Sequence, residues 1–146
     1  MKGWLLDTNV ISELRKPNCN LNVKQWADSQ LPQSFYLSTV TLAEIRFGIG
    51  QLQDRADLRQ ELTEWLEEVL RPWFTDRILP VDEDVILLWR QLVEAGRKQG
   101  YTYSQPDLFI AAIALVHNLC VVTRNVTDFE RSGVPVLNPF KARDLA

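Results

Sequence analysis

Residues 3–14 read Gly3-Trp4-Leu5-Leu6-Asp7-Thr8-Asn9-Val10-Ile11-Ser12-Glu13-Leu14, and the fold turns on how this stretch divides. Gly3-Trp4-Leu5-Leu6 is a short, bounded apolar run, as a buried strand should be. Val10, Ile11 and Leu14 then recur at helical spacing on one face. Asp7 therefore sits where a strand gives way to a helix, and in an open parallel sheet ligands collect outside such carboxyl ends. A capping role for Asp7 or Thr8 accounts for one polar residue at this junction without any chemistry. Three further acids, however, sit at comparable junctions.

Working outward, residues 22–29 read as a short helix stopped near Pro32, and Phe35-Tyr36-Leu37 as a second strand. The second strand leads through Ser38-Thr39-Val40-Thr41 into a helix over residues 41–52, with Leu42, Ile45, Ile49 and Leu52 on one face. A long Glu-rich helix is expected over residues 54–70, its stripe formed by Leu58, Leu62, Trp65, Leu66 and Val69. Arg71-Pro72 is expected to end or break it. Ile78-Leu79-Pro80-Val81 reads as a third strand, and residues 82–99 as a helix facing inward through Val85, Leu88, Trp89, Leu92 and Val93. Residues 100–106 form a loop without regular pattern. Residues 107–117 are apolar nearly all round, which predicts a buried helix. Leu119-Cys120-Val121-Val122 is a fourth strand, apolar on both faces. A short helix begins near Asn125 as its N-cap, and Val134-Pro135-Val136-Leu137 makes a final strand that Pro135 assigns to a sheet edge. Alternating strands and helices predict an α/β layer fold with a mainly parallel sheet.

Composition narrows the class. A chain of 146 residues is most simply one domain, able to bury roughly 70% of its unfolded surface. Hydrophobic content of 46% with 24% charged residues is globular. No apolar run approaches the ~20 residues a membrane span needs, and the first residues lack a secretory signal. Two cysteines, Cys19 and Cys120, make no disulfide framework, and one histidine with them makes no zinc cluster. These features are expected of a reduced, cytoplasmic protein. A net charge of −3 leaves nucleic-acid binding to metals or to a local basic patch.

The acids follow the predicted strand ends. Glu44 comes shortly after the second strand, and Thr41-Leu42-Ala43-Glu44 also matches a capping box. Asp107 falls in the first turn of the buried helix, where the helix dipole favours an acid by about 0.3–1 kcal/mol. Asp128 lies just beyond the fourth strand. Each acid has a local explanation; their joint placement at one end of a parallel sheet has none. Carboxylates gathered there repel, and a divalent cation neutralises them better than helix dipoles do. Oxygen donors without His or Cys suit Mg²⁺ or Mn²⁺. Such a site activates water and stabilises charge on a phosphodiester undergoing displacement.

The stretches LLDTNVISEL (residues 5–14), STVTLAEIRFGI (38–49), PDLFIAAIA (106–114), VVTRNVTDF (121–129) and VPVLNPF (134–140) resemble the PIN-domain ribonucleases. Within them, the likeness is to the VapC/FitB-like toxins of type II toxin–antitoxin pairs, in order along essentially the whole chain. This resemblance implies a three-layer α/β/α fold with a central sheet of four to five mainly parallel strands, formed by a single domain over residues 1–146. It implies a Mg²⁺- or Mn²⁺-dependent endoribonuclease that acts on RNA, forms a homodimer and is silenced by a small cognate antitoxin. By motif, Asp7, Glu44 and Asp107 take the family's first three acidic places. The fourth falls on Asp128, with Asn125 as its neighbour, since members vary between those positions. Asn9, Thr123 and Asn125 match polar positions around the site. The implied roles are metal binding by Asp7 and Asp107, and a second metal or orientation of the attacking water by Glu44 and Asp128. Arg46, Arg97, Lys98 and Arg124 are candidate phosphate contacts, weighed against ordinary surface charge. His117 reads as structural, and Trp65, Trp73 and Trp89 as packing residues. The Glu-rich helix is a candidate surface for dimerisation or antitoxin docking, as the resemblance implies.

Two other classes remain open on the sequence. A strand-end Asp can be phosphorylated in phosphotransfer proteins, but the haloacid-dehalogenase type of motif wants an acid where this chain has Asn9. The other is a binding module that kept the fold without the chemistry, against which the four intact acids argue.

Overall fold

The computed structural model describes residues 2–142; the expected domain span of 1–146 thus has its two ends outside the described residues. Five strands, β1 (Gly3–Leu6), β2 (Phe35–Ser38), β3 (Ile78–Leu79), β4 (Leu119–Val122) and β5 (Val136–Leu137), form one sheet in the order β3-β2-β1-β4-β5. Every pairing is parallel, with Leu5 opposite both Tyr36 and Val121. The helices are α1 (Thr8–Arg15), α2 (Leu21–Asp28), α3 (Thr39–Gly50), α4 (Ala56–Trp65), α5 (Arg71–Trp73), α6 (Glu83–Lys98), α7 (Gln105–His117) and α8 (Thr127–Glu130).

Strand side chains alternate between faces, and the core divides accordingly. Leu6, Phe35, Leu37 and Val122 pack with Val10, Trp26, Leu42 and Leu66 from the first helices. Leu5, Leu119 and Val121 pack on the other face with Val85, Phe129 and the α7 residues Ile110 to Ala114. The result is the expected three layers. Gly3 is required where β1 meets β2, since a Cβ there would stand 2.5 Å from the Ser34 carbonyl oxygen.

Prolines trim the edge strands. Pro80 ends β3 after two residues, because it has no N–H to pair. Pro135 precedes β5, which lies at the sheet edge as expected but starts at Val136; the Pro135 carbonyl still accepts a hydrogen bond from Val121 N–H at 2.9 Å.

Pro72 does not break the Glu-rich helix where the sequence suggests. A π-helical turn, Leu66–Leu70, follows α4, with Arg71 N–H bonded to the Leu66 carbonyl, and the helical path continues through Pro72. The wider turn accommodates a ring that would otherwise press on the carbonyl four residues back. It also keeps residues four apart in line, so Leu66, Leu70 and Phe74 are buried while Val69 and Trp73 are exposed. Val69 thus corrects the expected stripe, and Trp73, expected to pack, is half exposed with one edge contact to Phe74. Trp65 and Trp89 pack as expected, Trp89 stacking on Phe109 with centroids 4.9 Å apart.

This topology decides where the acids go. From β1 the chain moves one way, to β2 and β3, and from β4 the other way, to β5. The reversal between β1 and β4 leaves a crevice at their carboxyl ends. Asn118 links α7 to β4 in the left-handed conformation, at φ 58°. So tight a link turns α7 back along β4 and puts Asp107 at the β4 carboxyl end.

Candidate active site

Asp7 emerges from the end of β1, 5% exposed, and caps α1 through a 2.8 Å bond from Thr8 N–H to Oδ1. The capping explanation of Asp7 is therefore correct, and it uses only one carboxylate oxygen. The other, Oδ2, accepts the Thr123 hydroxyl at 2.8 Å and the Asn9 amide at 3.4 Å.

Thr123 is fully buried at the end of β4 and satisfies its whole hydroxyl. Besides donating to Asp7, Oγ1 accepts from Asn9 Nδ2 at 3.1 Å and from Asn125 N–H at 3.0 Å. Asn9 closes the circuit, its Oδ1 accepting Arg124 N–H at 3.1 Å. Asn9 and Thr123 thus form one side-chain network around Asp7, which Asn125 joins through its backbone N–H. Asn125 differs in one respect: α8 begins at Thr127 with Val126 as its cap residue, and Asn125 contributes its carbonyl to Asp128 N–H rather than a side-chain cap.

Glu44 lies in the second turn of α3. The capping box that its spacing also matches is not formed. Ser38 caps α3, its Oγ accepting Thr41 N–H at 3.0 Å and bonding the Thr41 hydroxyl at 3.2 Å. Glu44 is left facing the crevice, where the Thr8 hydroxyl reaches Oε1 at 3.4 Å. The Ser38-x-x-Thr41 spacing was the available signal for this cap. Asp107 occupies the first turn of α7, half-buried. Asp128 is exposed on α8, beyond the end of β4.

Electrostatics tie the four acids together. Burial holds the Asp7 carboxyl above its ordinary range against the bonds from Thr123 and Thr8, and the Asp128 charge adds to the rise. Glu44 is raised by desolvation, then by Asp7 and Asp107. Glu44 also lines an apolar groove of about 720 Å³ with Val40, Phe47, Pro106 and Phe109. Asp107 is pushed up to about 6, first by burial and then by Asp7 and Asp128. The first turns of α1 and α7 favour negative charge, yet these carboxyls remain raised.

Among the described residues, no three His, Cys, Asp or Glu side chains are drawn into one compact ligand set. The acids instead share a crevice, where Asp7, Glu44 and Asp107 each feel the charge of others among the four. Mg²⁺ is commonly held by one or two carboxylates with water completing its shell, so the donor set fits such a cation without a closed protein cage.

The remaining candidates sort by position. Arg124 adjoins the network through its backbone, whereas Arg97 pairs with Glu94 at 3.6 Å and Lys98 is exposed in the last turn of α6. Arg46 is exposed on α3 beside Arg59. His117 closes α7, about 15 Å along the helix from Asp107. Both cysteines are free, and burial pushes the Cys120 thiol up to about 11, as befits a core residue.

Comparison with known proteins agrees with this architecture. The sequence model of the PIN domain matches residues 4–133. Toxin FitB of Neisseria gonorrhoeae is 40% identical over 136 residues, 93% of this chain and 97% of FitB. VapC ribonuclease Y4jK of Sinorhizobium fredii is 35% identical over 137 residues, 94% of this chain and 97% of the relative. The crystal structure of FitAcB from Neisseria gonorrhoeae superposes with a TM-score of 0.87 at 39% identity, over 95% of this chain and 99% of that one. With its parallel five-stranded sheet, its acids at the β1–β4 crevice and this likeness along nearly its full length, the chain belongs to the PIN-domain family, in the branch of FitB and VapC.

Proposed function

We propose that this protein is a Mg²⁺- or Mn²⁺-dependent endoribonuclease and the toxin of a type II toxin–antitoxin pair. The observation that carries the reading is the acidic crevice, in which Asp7, Glu44 and Asp107 are all raised by burial and by one another's or Asp128's charge. A site with that charge favours a cation, and its all-oxygen donors select a hard one. The names of the relatives, a toxin and a VapC ribonuclease, agree with the assignment.

Asp7 and Asp107 would hold the cation, Asp7 rigidly because Thr8, Asn9 and Thr123 fix its carboxylate. A cation held there would supply Lewis-acid polarisation of a phosphodiester oxygen and would lower the pKa of an attacking water. Glu44 is suited to orient that water and accept its proton, being accessible and raised above the usual carboxylate range. Asp128 completes the set from α8. Asn9, where a haloacid-dehalogenase type of site needs an acid, disfavours the phosphotransfer reading, and metal-dependent cleavage separates the nuclease from a pure binding module. The partner expected to silence the enzyme is a small antitoxin, and a homodimer is the expected assembly.

The test is cleavage of RNA by the purified protein free of any partner, in Mn²⁺, in Mg²⁺ and in EDTA. Cleavage with either metal and none in EDTA supports the reading. Failure to cleave total cellular RNA with both metals overturns it.

A further inference from the structure

The acidic crevice poses a problem for its own substrate, because an RNA strand is a polyanion and the chain carries a net charge of −3. A fixed cation beside the acids would help hold the strand. Several cations are committed elsewhere among the described residues. Arg71 pairs with Glu67, Arg97 with Glu94, and Arg77 donates to three backbone carbonyls. Arg124 is placed differently. It follows Thr123, whose hydroxyl is bonded to Asp7, and its own N–H is held by Asn9 at 3.1 Å, so its backbone is fixed relative to the site.

Its side chain has a platform. The guanidinium carbon stands 3.8 Å from the centroid of the Phe140 ring. Phe140 is held in turn, its N–H bonded to Asn138 Oδ1 at 2.9 Å and its carbonyl accepting Asn22 Nδ2 at 2.9 Å. Stacking occupies the face of a guanidinium and leaves the in-plane N–H fork available, the geometry that grips a phosphate with two parallel bonds. Among the described residues Arg124 forms no ion pair. Glu13 senses its charge but already accepts Asn20 N–H at 2.9 Å and Lys16 Nζ at 3.4 Å. A pre-positioned fork loses less side-chain freedom when it binds.

We propose that Arg124, supported on the Phe140 ring, is a substrate-binding residue that grips a backbone phosphate of the RNA strand flanking the acidic site. This rests on the nuclease reading and adds to it the residue that supplies strand affinity. A phosphate contact carries no base information, so Arg124 sets affinity and register and leaves sequence choice to other groups.

The experiment is steady-state cleavage of a single-stranded RNA oligonucleotide in Mn²⁺ at several salt concentrations, with calorimetric Mn²⁺ titration alongside. The proteins compared are wild type, Arg124→Ala, Arg124→Lys and Phe140→Leu. In Arg124→Ala, KM should rise about 5- to 20-fold while kcat changes less than threefold, and the salt slope of log kcat/KM should fall by about 0.7, one single-strand phosphate contact. Arg124→Lys should recover the salt slope and only part of KM, as a point charge without the fork. Phe140→Leu should raise KM by a smaller factor. Mn²⁺ affinity should stay within twofold of wild type in Arg124→Ala. Wild-type cleavage with KM and salt slope unmoved in Arg124→Ala overturns this assignment alone, as does a fall in kcat and Mn²⁺ affinity at constant KM. Absence of wild-type cleavage overturns it together with the nuclease reading.

Discussion

Thr123 gives its hydroxyl hydrogen to Asp7 Oδ2 across 2.8 Å, and this bond joins the carboxyl ends of β4 and β1. The two residues are 116 positions apart in sequence and adjacent in the sheet crevice. Thr123 Oγ1 itself accepts from Asn9 Nδ2 and from Asn125 N–H, so Thr123 organises the polar groups around the buried acid.

Replacing Thr123 by Val keeps the shape and removes the hydroxyl. Asp7, Asn9 and Asn125 each lose a partner, and leaving buried polar groups unpaired costs about 1–3 kcal/mol. Chemical denaturation should show Thr123→Val destabilised by roughly that much, with Mn²⁺ affinity reduced about 10- to 100-fold because the ligand carboxylate is no longer oriented. Thr123→Ser, which retains the hydroxyl, should recover most of both.

Asp107 supplies a pH signature. Its carboxyl is raised from 3.8 to about 6, so the folded state prefers the protonated form. The stability this contributes is complete below pH 3.8 and is lost as pH rises through about 6. Asp107→Asn mimics the protonated form at every pH. Discounted for the partial exposure of Asp107, metal-free Asp107→Asn should be about 1 kcal/mol more stable than wild type at pH 7, some 2–4 °C in Tm, and equal to it near pH 4. Thermal melts across that range in EDTA check the sign.

Ser38 and Glu44 separate folding from function on one helix. Ser38 caps α3 and Glu44 takes no part in that cap. Ser38→Ala should cost about 0.5–2 kcal/mol of stability. Glu44→Gln should leave stability within ~0.5 kcal/mol of wild type, as most substitutions at exposed positions do, and should sharply reduce RNA cleavage. Paired measurements of unfolding and cleavage on both variants decide it.

The π-helical turn before Pro72 predicts an asymmetry between neighbours. Leu70 is 3% exposed and Val69 55% exposed. Leu70→Ala should cost about 2–5 kcal/mol through the cavity it leaves, while Val69→Ala should stay within about 0.5 kcal/mol. A larger cost at Val69 than at Leu70 would mean that the helix runs through as a regular α-helix.

Much of this was legible in the sequence. The short apolar runs of the strands and the nearly all-apolar character of residues 107–117 point to a sheet covered by helices, and Asp7 and Asp107 follow from where those elements begin and end. What escaped the sequence depended on hydrogen bonds or turns that periodicity does not encode. Thr41-x-x-Glu44 and Ser38-x-x-Thr41 are both plausible caps, and which one forms depends on where β2 ends. A widened turn that lets a helix pass through a proline shifts the buried face by one residue, from Val69 to Leu70. The late start of α8 turned Asn125 from a side-chain cap into a member of the Thr123 network.

The most direct test of the account is cleavage of RNA in Mn²⁺ by folded Asp7→Asn and Asp107→Asn variants beside wild type, each purified free of any partner. Both substitutions keep side-chain volume and remove the charge that would hold the cation. The account predicts wild-type cleavage and a loss of more than about 100-fold in each variant, beyond what loss of a supporting residue costs. Wild-type levels of cleavage in either variant would contradict the assignment of the β1–β4 crevice as the catalytic centre.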